Sequence, residues 1–278
     1  MTDHSAPVTL SSLNAMKERG EPIVAVVAWD TQTARIADRV GVDILSVGDT
    51  VGVNLWGRSN PLDVSLDEMV LVAGAVRKGV RRALVSVDFP FGPLQQGPAA
   101  AVEAAIRLAK DAGADLVKLD GAADHLAAVE AVVAAGIPVF AQMGLTPQTA
   151  LRHGVDYGTM VSGTSSVPEQ MLDAMVGEAR ALESAGASLL NITNSGPVVG
   201  EAVARAVRIP VLGGLGGGPW LDGRVRLAAA AIGSPASMLD ATFDTYGSVA
   251  EVTFEALAAY ASDVRAGRQI RSGTPPAR

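Results

Sequence analysis

The chain has no cysteine among its 278 residues, which excludes disulfides, thiolate nucleophiles, iron–sulfur clusters and cysteine-ligated zinc. Aromatic residues make up only 4% of the chain, and the three histidines show no metal-binding spacing. No run of eighteen apolar residues occurs, and the first twenty residues lack the apolar centre of a signal peptide. We therefore expect a cytoplasmic protein that does not enter a membrane.

Positive charge is also scarce. The chain carries 22 Lys and Arg against 29 Asp and Glu, a net charge of −7. Nucleic acids and anionic membranes need a basic surface, so neither is expected as a partner. A small acidic substrate is not excluded, because a lysine or a metal ion can offset the field locally. Apolar residues make up 49% of the chain, which is enough for a sizeable core of Ala, Val, Leu and Ile.

Short apolar runs alternate with alanine-rich helical segments, a pattern typical of buried parallel strands with covering helices. The predicted strands are Ile23–Ala28, Ile44–Val47, Ala83–Val87, Leu116–Leu119, Ile137–Met143, a weaker Thr159–Val161, Leu189–Ile192 and Ile209–Leu212. Eight strands, each followed by a helix or loop, predict an α/β fold of the TIM (β/α)8 barrel type in a single domain. An open doubly wound sheet is the alternative. We expect an N-terminal segment at 1–20, the barrel at 21–265 and a C-terminal tail at 266–278.

The segment AGADLVKLD at Ala112–Asp120 recurs as AGASLLNIT at Ala185–Thr193, and each copy precedes an IPV tripeptide. About 25 residues separate the start of each copy from its tripeptide. That spacing is typical of one strand–helix unit repeated around a closed structure.

Polar side chains end several of these strands. Asp49 follows the second strand, Asp88 the third and Asp120 the fourth, with Lys118 two residues earlier and Gln142 in the fifth. Active sites of TIM barrels lie at the carboxyl ends of the strands, so these side chains should converge. Carboxylates in one cleft suit Mg²⁺, and the pattern predicts a metal site formed by Asp49, Asp88 and Asp120. A single Asp at such a place can instead cap the next helix, and Lys118 can either contact the substrate or pair with one of these Asp residues.

The segment GGLGGGPWLDG, Gly213–Gly223, follows the last predicted strand. Glycine-rich turns at this place cradle phosphate in many barrels through backbone N–H groups. The glycines equally suit a tight turn or a close approach of the backbone to a ligand. The sequence leaves both interpretations open.

Several motifs, in order, resemble the ketopantoate hydroxymethyltransferase family of the phosphoenolpyruvate/pyruvate barrel superfamily. The resemblance runs from about Val24 to Arg265. The motifs that carry it are ARIADRVGVDILSVGDTVG, SLDEMVLVAGAVRKG, DFPFG, AGADLVKLDG, GIPVFAQMGLTPQ, LESAGASLL and IPVLGGLGGGPWLDG.

The resemblance implies an enzyme in which Mg²⁺ chelates a 2-oxo acid through its carboxylate and keto oxygens. A general base removes the C3 proton, and the enolate attacks formaldehyde from 5,10-methylenetetrahydrofolate. Asp49 and Asp88 match the direct metal ligands. Asp120 takes the place of a Glu and, although shorter by one methylene, could still reach the ion through a water. Lys118 matches the lysine that faces the substrate, and the implied substrate contacts are Asp49, Thr50, Asp88, Lys118 and Gln142. The family forms homo-oligomers, so we expect one here.

Two positions depart from the family pattern. Gln142 occupies the place of a histidine, and Thr193, at the end of the seventh predicted strand, occupies the place of the glutamate thought to be the base. A positioned base contributes roughly 10²–10⁴-fold in rate. With Lys118, Thr193 and Gln142 as candidate catalytic residues, the first hypothesis is a 3-methyl-2-oxobutanoate hydroxymethyltransferase or aldolase. The second is a diverged carbon–carbon lyase or hydrolase that acts on another 2-oxo acid without folate, and the third is a non-catalytic homologue.

Overall fold

A computed structural model of the chain describes residues 6–154, 157–158, 166–216, 218–240 and 244–268. Eight parallel strands pair in sequence order and close into a barrel. They are β1 Ile23–Val27, β2 Ile44–Val47, β3 Leu84–Asp88, β4 Leu116–Asp120, β5 Val139–Gly144, β6 Leu189–Thr193, β7 Val211–Gly214 and β8 Gly223–Leu227. The predicted TIM barrel is confirmed, and the open sheet is excluded.

Helices alternate with the strands along the described part of the chain. The α-helices are α1 Leu10–Arg19, α2 Thr31–Arg39, α3 Val51–Asn54, α4 Leu66–Arg77, α5 Pro98–Ala112, α6 Leu126–Ala134, α7 Leu172–Ser184, α8 Gly196–Ala206, α9 Ala228–Ala231 and α10 Val249–Arg265. Short 3-10 helices occur at Pro61–Asp63, Ala122–His125, Ala150–His153, Glu169–Met171 and Ala236–Leu239. Helix starts follow ordinary capping chemistry: Ser65 and Glu68, for example, form a reciprocal capping box at α4.

The order of the last strands differs from the prediction. The run expected as the eighth strand, Ile209–Leu212, overlaps β7, and the weak candidate Thr159–Val161 lies outside the described residues. Strand β5 pairs directly with β6, and the barrel closes through β8, whose sequence is GRVRL. Its arginines interrupt the apolar run, and all five residues are partly exposed, so β8 lacks the pattern of a strand buried on both faces. Thr193 therefore ends β6 rather than a seventh strand, and the glycine-rich segment joins β7 to β8.

The half of the barrel at the amino ends of the strands is filled with apolar side chains. Residues i and i+2 of a strand point to the same face, so one inward side chain from each strand builds a layer. The buried core cluster consists of Val8, Leu13, Ile23, Ala25, Ile44, Leu116, Phe140, Leu189 and Leu212. Val8 and Leu13 come from the N-terminal segment, so helix α1 contributes to this core. Two residues beyond Leu116 and Phe140, the same faces carry Lys118 and Gln142, and the interior becomes polar towards the carboxyl ends of the strands.

The chain divides into two compact units, Met1–Arg226 and Leu227–Arg278. The second contains α9, one 3-10 helix and α10. Large apolar side chains of α10 are exposed in the single chain, including Val252, Phe254, Leu257 and Tyr260. Among the described residues, no helix is both long and apolar enough to cross a membrane. The expected tail at 266–278 lies mostly outside the described residues.

Closure of the barrel depends on a glycine at the start of β8. A Cβ placed on Gly223 would lie 2.2 Å from the carbonyl oxygen of Ile23, which is backbone and cannot rotate away. We expect Gly223→Ala to destabilise the protein by about 1–3 kcal/mol. Gly177→Ala in α7 is the matched control, because its Cβ would meet nothing within 4 Å and alanine favours a helix by about 0.5–1 kcal/mol. Urea denaturation of both variants measures the difference, and equal stability of the two would contradict the assigned closure.

Candidate active site

The polar residues at the strand ends all face the same end of the barrel. Asp88 ends β3, Asp120 ends β4 and Thr193 ends β6, while Asp49 lies two residues beyond β2. Asp88 pairs in register with Lys118 across β3 and β4, and Asp120 pairs with Gln142 across β4 and β5. All six side chains are buried, although four are ionisable. A buried charge is costly unless it is paired, so the interactions among these groups decide what the site can do.

Lys118 forms an ion pair with Asp88, with 3.0 Å between Nζ and Oδ2. The other oxygen of Asp88 accepts a weak hydrogen bond from Ser46 Oγ at 3.5 Å. Burial alone would lower the pKa of Lys118, but attraction to Asp88 and Asp49 outweighs it and raises that pKa. The lysine is therefore a charged ammonium held at the site. Of the two interpretations of Lys118, the structure contains the salt bridge, and contact with a substrate stays a prediction.

Asp49 and Asp120 lack a comparable positive partner. Burial, followed by repulsion from Asp88, raises the pKa of Asp49 to about 8, although a hydrogen bond from Gln148 opposes the shift. Burial is also the main cause that raises the pKa of Asp120 to about 6. One oxygen of Asp120, Oδ1, is buried without a hydrogen-bond partner. Three acidic groups thus share one lysine, and the site is short of positive charge.

Gln148 connects two of the carboxyl groups and was not identified from the sequence as a site residue. Its Nε2 donates to Asp49 Oδ2 at 2.8 Å and to the carbonyl oxygen of Phe89 at 2.9 Å. Its backbone N–H donates to Asp120 Oδ2 at 3.1 Å, and the Thr146 side chain also hydrogen bonds Asp120. The segment after β5 therefore reaches across to β2, β3 and β4 and fixes the orientation of these carboxyl groups. The only available signal was the position of Gln148 within the GLTPQ motif.

Thr50 and Tyr157 lie near the same carboxyl groups. A Cβ on Gly48 would be 2.9 Å from Thr50 Oγ1 and 3.7 Å from Asp88 Oδ2, so the hydroxyl and the carboxylate both lie against this glycine. Burial, with a smaller contribution from Asp49, raises the pKa of Tyr157 to about 12. Tyr157 therefore stays protonated at neutral pH and offers an O–H donor close to the cluster. No sequence pattern distinguished it.

The two positions that depart from the family pattern contact each other. Gln142 Nε2 donates to Thr193 Oγ1 at 2.9 Å, and both side chains are buried. The neighbouring Asn191 donates to the carbonyl oxygen of Leu212, so its side-chain amide links strands β6 and β7. Neither Gln142 nor Thr193 accepts a proton at neutral pH. The β5–β6 side of the site is consequently neutral, whereas the β2–β4 side is ionic.

The described residues contain no group of three or more His, Cys, Asp or Glu side chains arranged to hold a metal ion. A complete protein cage is therefore not formed there. Mg²⁺, however, commonly binds through one or two carboxylates and completes its shell with water and substrate oxygens. The unpartnered Asp120 Oδ1 and the raised pKa of Asp49 are what a site built for a hard cation shows without it. The residues present fit such an ion, and their individual roles as ligands remain a prediction.

Asp49 should make the stability of the metal-free protein depend on pH. Its pKa is about 8 in the folded state and 3.8 in the reference state, so folding opposes ionisation. Below about pH 4, Asp49 is protonated in both the folded and the unfolded protein and does not change the free energy of unfolding. As the pH rises from 4 towards 8, only the unfolded protein ionises readily, so the free energy of unfolding falls. In EDTA, Asp49→Asn should raise the melting temperature at pH 8 by at least about 3 °C more than at pH 5. The exposed Asp240→Asn is the control for loss of one charge and should show no such trend. A difference that is constant with pH would contradict the raised pKa.

Comparisons with known sequences show the family of the chain. The family model for ketopantoate hydroxymethyltransferase matches residues 7–269. A 3-methyl-2-oxobutanoate hydroxymethyltransferase from Salinibacter ruber is 38% identical over 258 residues, which is 93% of this chain and 95% of that protein. The enzyme of the same name from Thermobifida fusca is 38% identical over 261 residues, which is 94% of this chain and 90% of that protein.

Solved structures with the same fold are more distant in sequence. Phosphonopyruvate hydrolase in complex with oxalate and Mg²⁺ has a TM-score of 0.58 at 14% identity, covering 96% of this chain and 92% of that chain. A 2,3-dimethylmalate lyase of the PEP mutase/isocitrate lyase superfamily has a TM-score of 0.58 at 15% identity, with the same coverage. These likenesses establish the barrel fold. The sequence matches go further: the chain belongs to the ketopantoate hydroxymethyltransferase family of enzymes.

Proposed function

We propose that this protein is a Mg²⁺-dependent enzyme that forms or breaks a carbon–carbon bond at C3 of a branched 2-oxo acid. In the forward direction it would transfer a hydroxymethyl group to 3-methyl-2-oxobutanoate, with 5,10-methylenetetrahydrofolate as cosubstrate. The observation that carries the proposal is the buried cluster of Asp49, Asp88, Asp120 and Lys118 at the strand ends. Membership of the family supplies the substrate class.

Asp49 and Asp88 are the proposed direct ligands of the metal, and Asp120 would reach it through water. When bound, Mg²⁺ would polarise the keto group of the substrate and so acidify the proton at C3. Asp88 is already fixed by Lys118 and Ser46, and Asp49 and Asp120 by Gln148. These contacts hold the carboxyl groups in place before a ligand arrives, which reduces the reorganisation needed on binding.

Lys118 and Thr50 are the proposed substrate contacts on the ionic side of the site. The ammonium of Lys118 is charged, buried and held by one carboxylate, so it can donate a second hydrogen bond to the carboxylate or keto oxygen of a 2-oxo acid. Thr50 Oγ1 and Asp88 Oδ2 both lie against Gly48, so the hydroxyl could donate to the same end of the substrate. This end of the site is therefore suited to an anion that also shares a cation.

The Gln142–Thr193 pair supports a second candidate function. Proton removal from C3 needs a base, and this side of the pocket offers only an amide and a hydroxyl. A carbon–carbon lyase acting on a hydroxylated 2-oxo acid makes a different demand. As the bond breaks, the proton of the substrate hydroxyl leaves, the bonding electrons pass to C3, and C3 takes up a proton; the products are a carbonyl compound and a 2-oxo acid. This reaction needs a proton relay rather than a net base, and the Thr193 hydroxyl, oriented by Gln142, could accept the proton of the substrate hydroxyl while it donates its own to C3.

Exchange of the C3 proton tests the first function. We expect 3-methyl-2-oxobutanoate to lose its C3 proton signal in D₂O, followed by NMR, only when both protein and Mg²⁺ are present. Asp49→Asn should slow this exchange by roughly 10²-fold or more because it removes a metal ligand, whereas Asp240→Asn should not. Absence of exchange over hours at stoichiometric protein would count against the transferase. If Mg²⁺ with the oxo acid also left the melting temperature unchanged, a non-catalytic homologue would be favoured.

A glutamate at position 193 separates the two candidate functions. If the pocket lacks only a base, Thr193→Glu should raise the exchange rate, by up to roughly 10²–10⁴-fold. Thr193→Gln is the matched control, since it has the same size and no proton acceptor. Because Gln142 contacts Thr193, the double variant with Gln142→His should be made as well. No gain in either Glu variant would indicate that the pocket suits another 2-oxo acid, and would favour the lyase.

A homo-oligomer and a cytoplasmic location complete the proposal. The exposed apolar side chains of α10 support the first, because contiguous apolar surface on a single chain commonly marks an interface with another protein. The location rests on composition alone.

A further inference from the structure

A basic cavity lies between helices α2 and α4. It is at the end of the barrel opposite the carboxyl ends of the strands. It has a volume of about 380 Å³ and is lined by Arg35, Asp38, Arg39, Lys78, Gly79 and Arg81. Lys78–Arg81 connect the end of α4 to the start of β3, which places them at the amino ends of the strands. The cavity is therefore separate from the proposed active site, and neither candidate function uses it.

The four cations of this cavity have no ion-pair partner within the described part of the chain. Pairing is otherwise frequent there: ion pairs hold Lys17, Arg19, Arg58, Arg77, Arg82, Arg107, Lys118, Arg152, Arg205 and Arg268. Arg39 and Lys78 lie at helix carboxyl ends, where the helix dipole favours a cation, but this does not account for Arg35 and Arg81. The cavity therefore concentrates unpaired positive charge, whereas the chain as a whole has a net charge of −7.

Asp38, the one acidic residue of the cavity, is already used by the backbone. Its Oδ1 accepts the N–H groups of Arg82 and Ala83, at 3.0 and 2.8 Å, and its Oδ2 accepts that of Arg81 at 3.0 Å. These bonds occupy both carboxylate oxygens and leave little capacity for the neighbouring guanidinium groups. The side chains of Arg35, Arg39 and Arg81 are thus left to bind another anion.

The walls of the cavity are held in place by direct contacts between α2 and α4. A Cβ on Gly79 would lie 2.6 Å from the carbonyl oxygen of Thr31 and 2.9 Å from the Cβ of Ala34, so the two segments touch there. Thr31 Oγ1 also donates to the carbonyl oxygen of Ala75 at 2.8 Å. Together with the Asp38 contacts, these fix the backbone from which the four cations project. A site with a fixed backbone loses less entropy when it binds a ligand.

We propose that this cavity binds a small polyphosphate anion, either free or as the phosphate chain of a nucleotide. Several guanidinium groups and an ammonium match the bidentate geometry and the high charge density of phosphate oxygens better than those of a single carboxylate. The volume suits a ligand of this size and is too small for a macromolecular groove. The surrounding net negative charge opposes extended contact with a nucleic acid.

Titration calorimetry of the full-length protein in EDTA, at constant ionic strength, tests the proposal with sodium tripolyphosphate in one arm and ATP in the other. We expect saturable binding with one site per chain, weakened at least about tenfold in Arg39→Ala/Arg81→Ala. Lys78→Ala gives a second, single-residue check. Arg180→Ala/Arg208→Ala removes the same charge from exposed residues outside the cavity and should leave binding unchanged. Tighter binding of ATP than of tripolyphosphate identifies a nucleotide as the source; equal binding identifies the phosphate chain alone.

Three results would overturn the proposed anion site. One is an absence of saturable binding at 1 mM anion, roughly a thousandfold above a micromolar affinity. Another is an equal loss of affinity in both double variants, which would mean that only the overall charge matters. The third is tighter binding of a twenty-nucleotide RNA than of either small anion, with the same loss in Arg39→Ala/Arg81→Ala, which would assign the surface to nucleic acid instead.

Discussion

The ion pair between Lys118 and Asp88 is the contact on which the polar half of the barrel depends. Two adjacent carboxyl groups, Asp49 and Asp120, are buried beside it, and no second cation is present among the described residues that line this cluster. Burial of three acids with one lysine is tolerated only if protons, hydrogen bonds or a further cation compensate the remaining charge. The raised pKa values of Asp49 and Asp120 express this deficit. A divalent cation would remove this charge deficit without protonation, so the electrostatics of the cluster and the proposed chemistry have the same origin.

The barrel makes this cluster possible by separating an apolar layer from a polar one along the same strands. In β4, Leu116, Lys118 and Asp120 share one face of the strand. Leu116 belongs to the apolar core, Lys118 follows two residues later, and Asp120 ends the strand. The strands therefore supply rigid positions, and the register of neighbouring strands brings Asp88 beside Lys118. Gln148 adds a contact that the strands cannot make, because this one loop residue bonds Asp49 through its side chain and Asp120 through its backbone N–H.

Periodicity predicted this arrangement wherever the strand is buried on both faces and ends in a charge. Strands β2 to β4 and their terminal residues followed from that pattern, because charged residues end several neighbouring apolar runs. Strand β8 did not, because Arg224 and Arg226 interrupt its apolar residues and it is only partly buried. Gln148 and Tyr157 were missed for another reason. Their roles arise from contacts between residues distant in sequence, and no local pattern encodes such contacts. The basic cavity likewise depends on the packing of α2 against α4.

Gln142 and Thr193 are best regarded as one unit, because the hydrogen bond between them pairs a buried donor with a buried acceptor. An acid at position 193 would need a partner that tolerates its charge, and the amide of Gln142 stabilises an anion less than a histidine cation does. Conversely, a histidine at position 142 beside a threonine would lose its acidic partner. A change at one position alone therefore leaves a buried polar group poorly matched, which costs about 1–3 kcal/mol. The neutral pair that is present removes this problem and leaves the charged side chains of the site on the β2–β4 side. In the proposed function, the substrate would be held at its oxo acid end through charge and at C3 through hydrogen bonds, and the β5–β6 side of the pocket would select the substituent at C3.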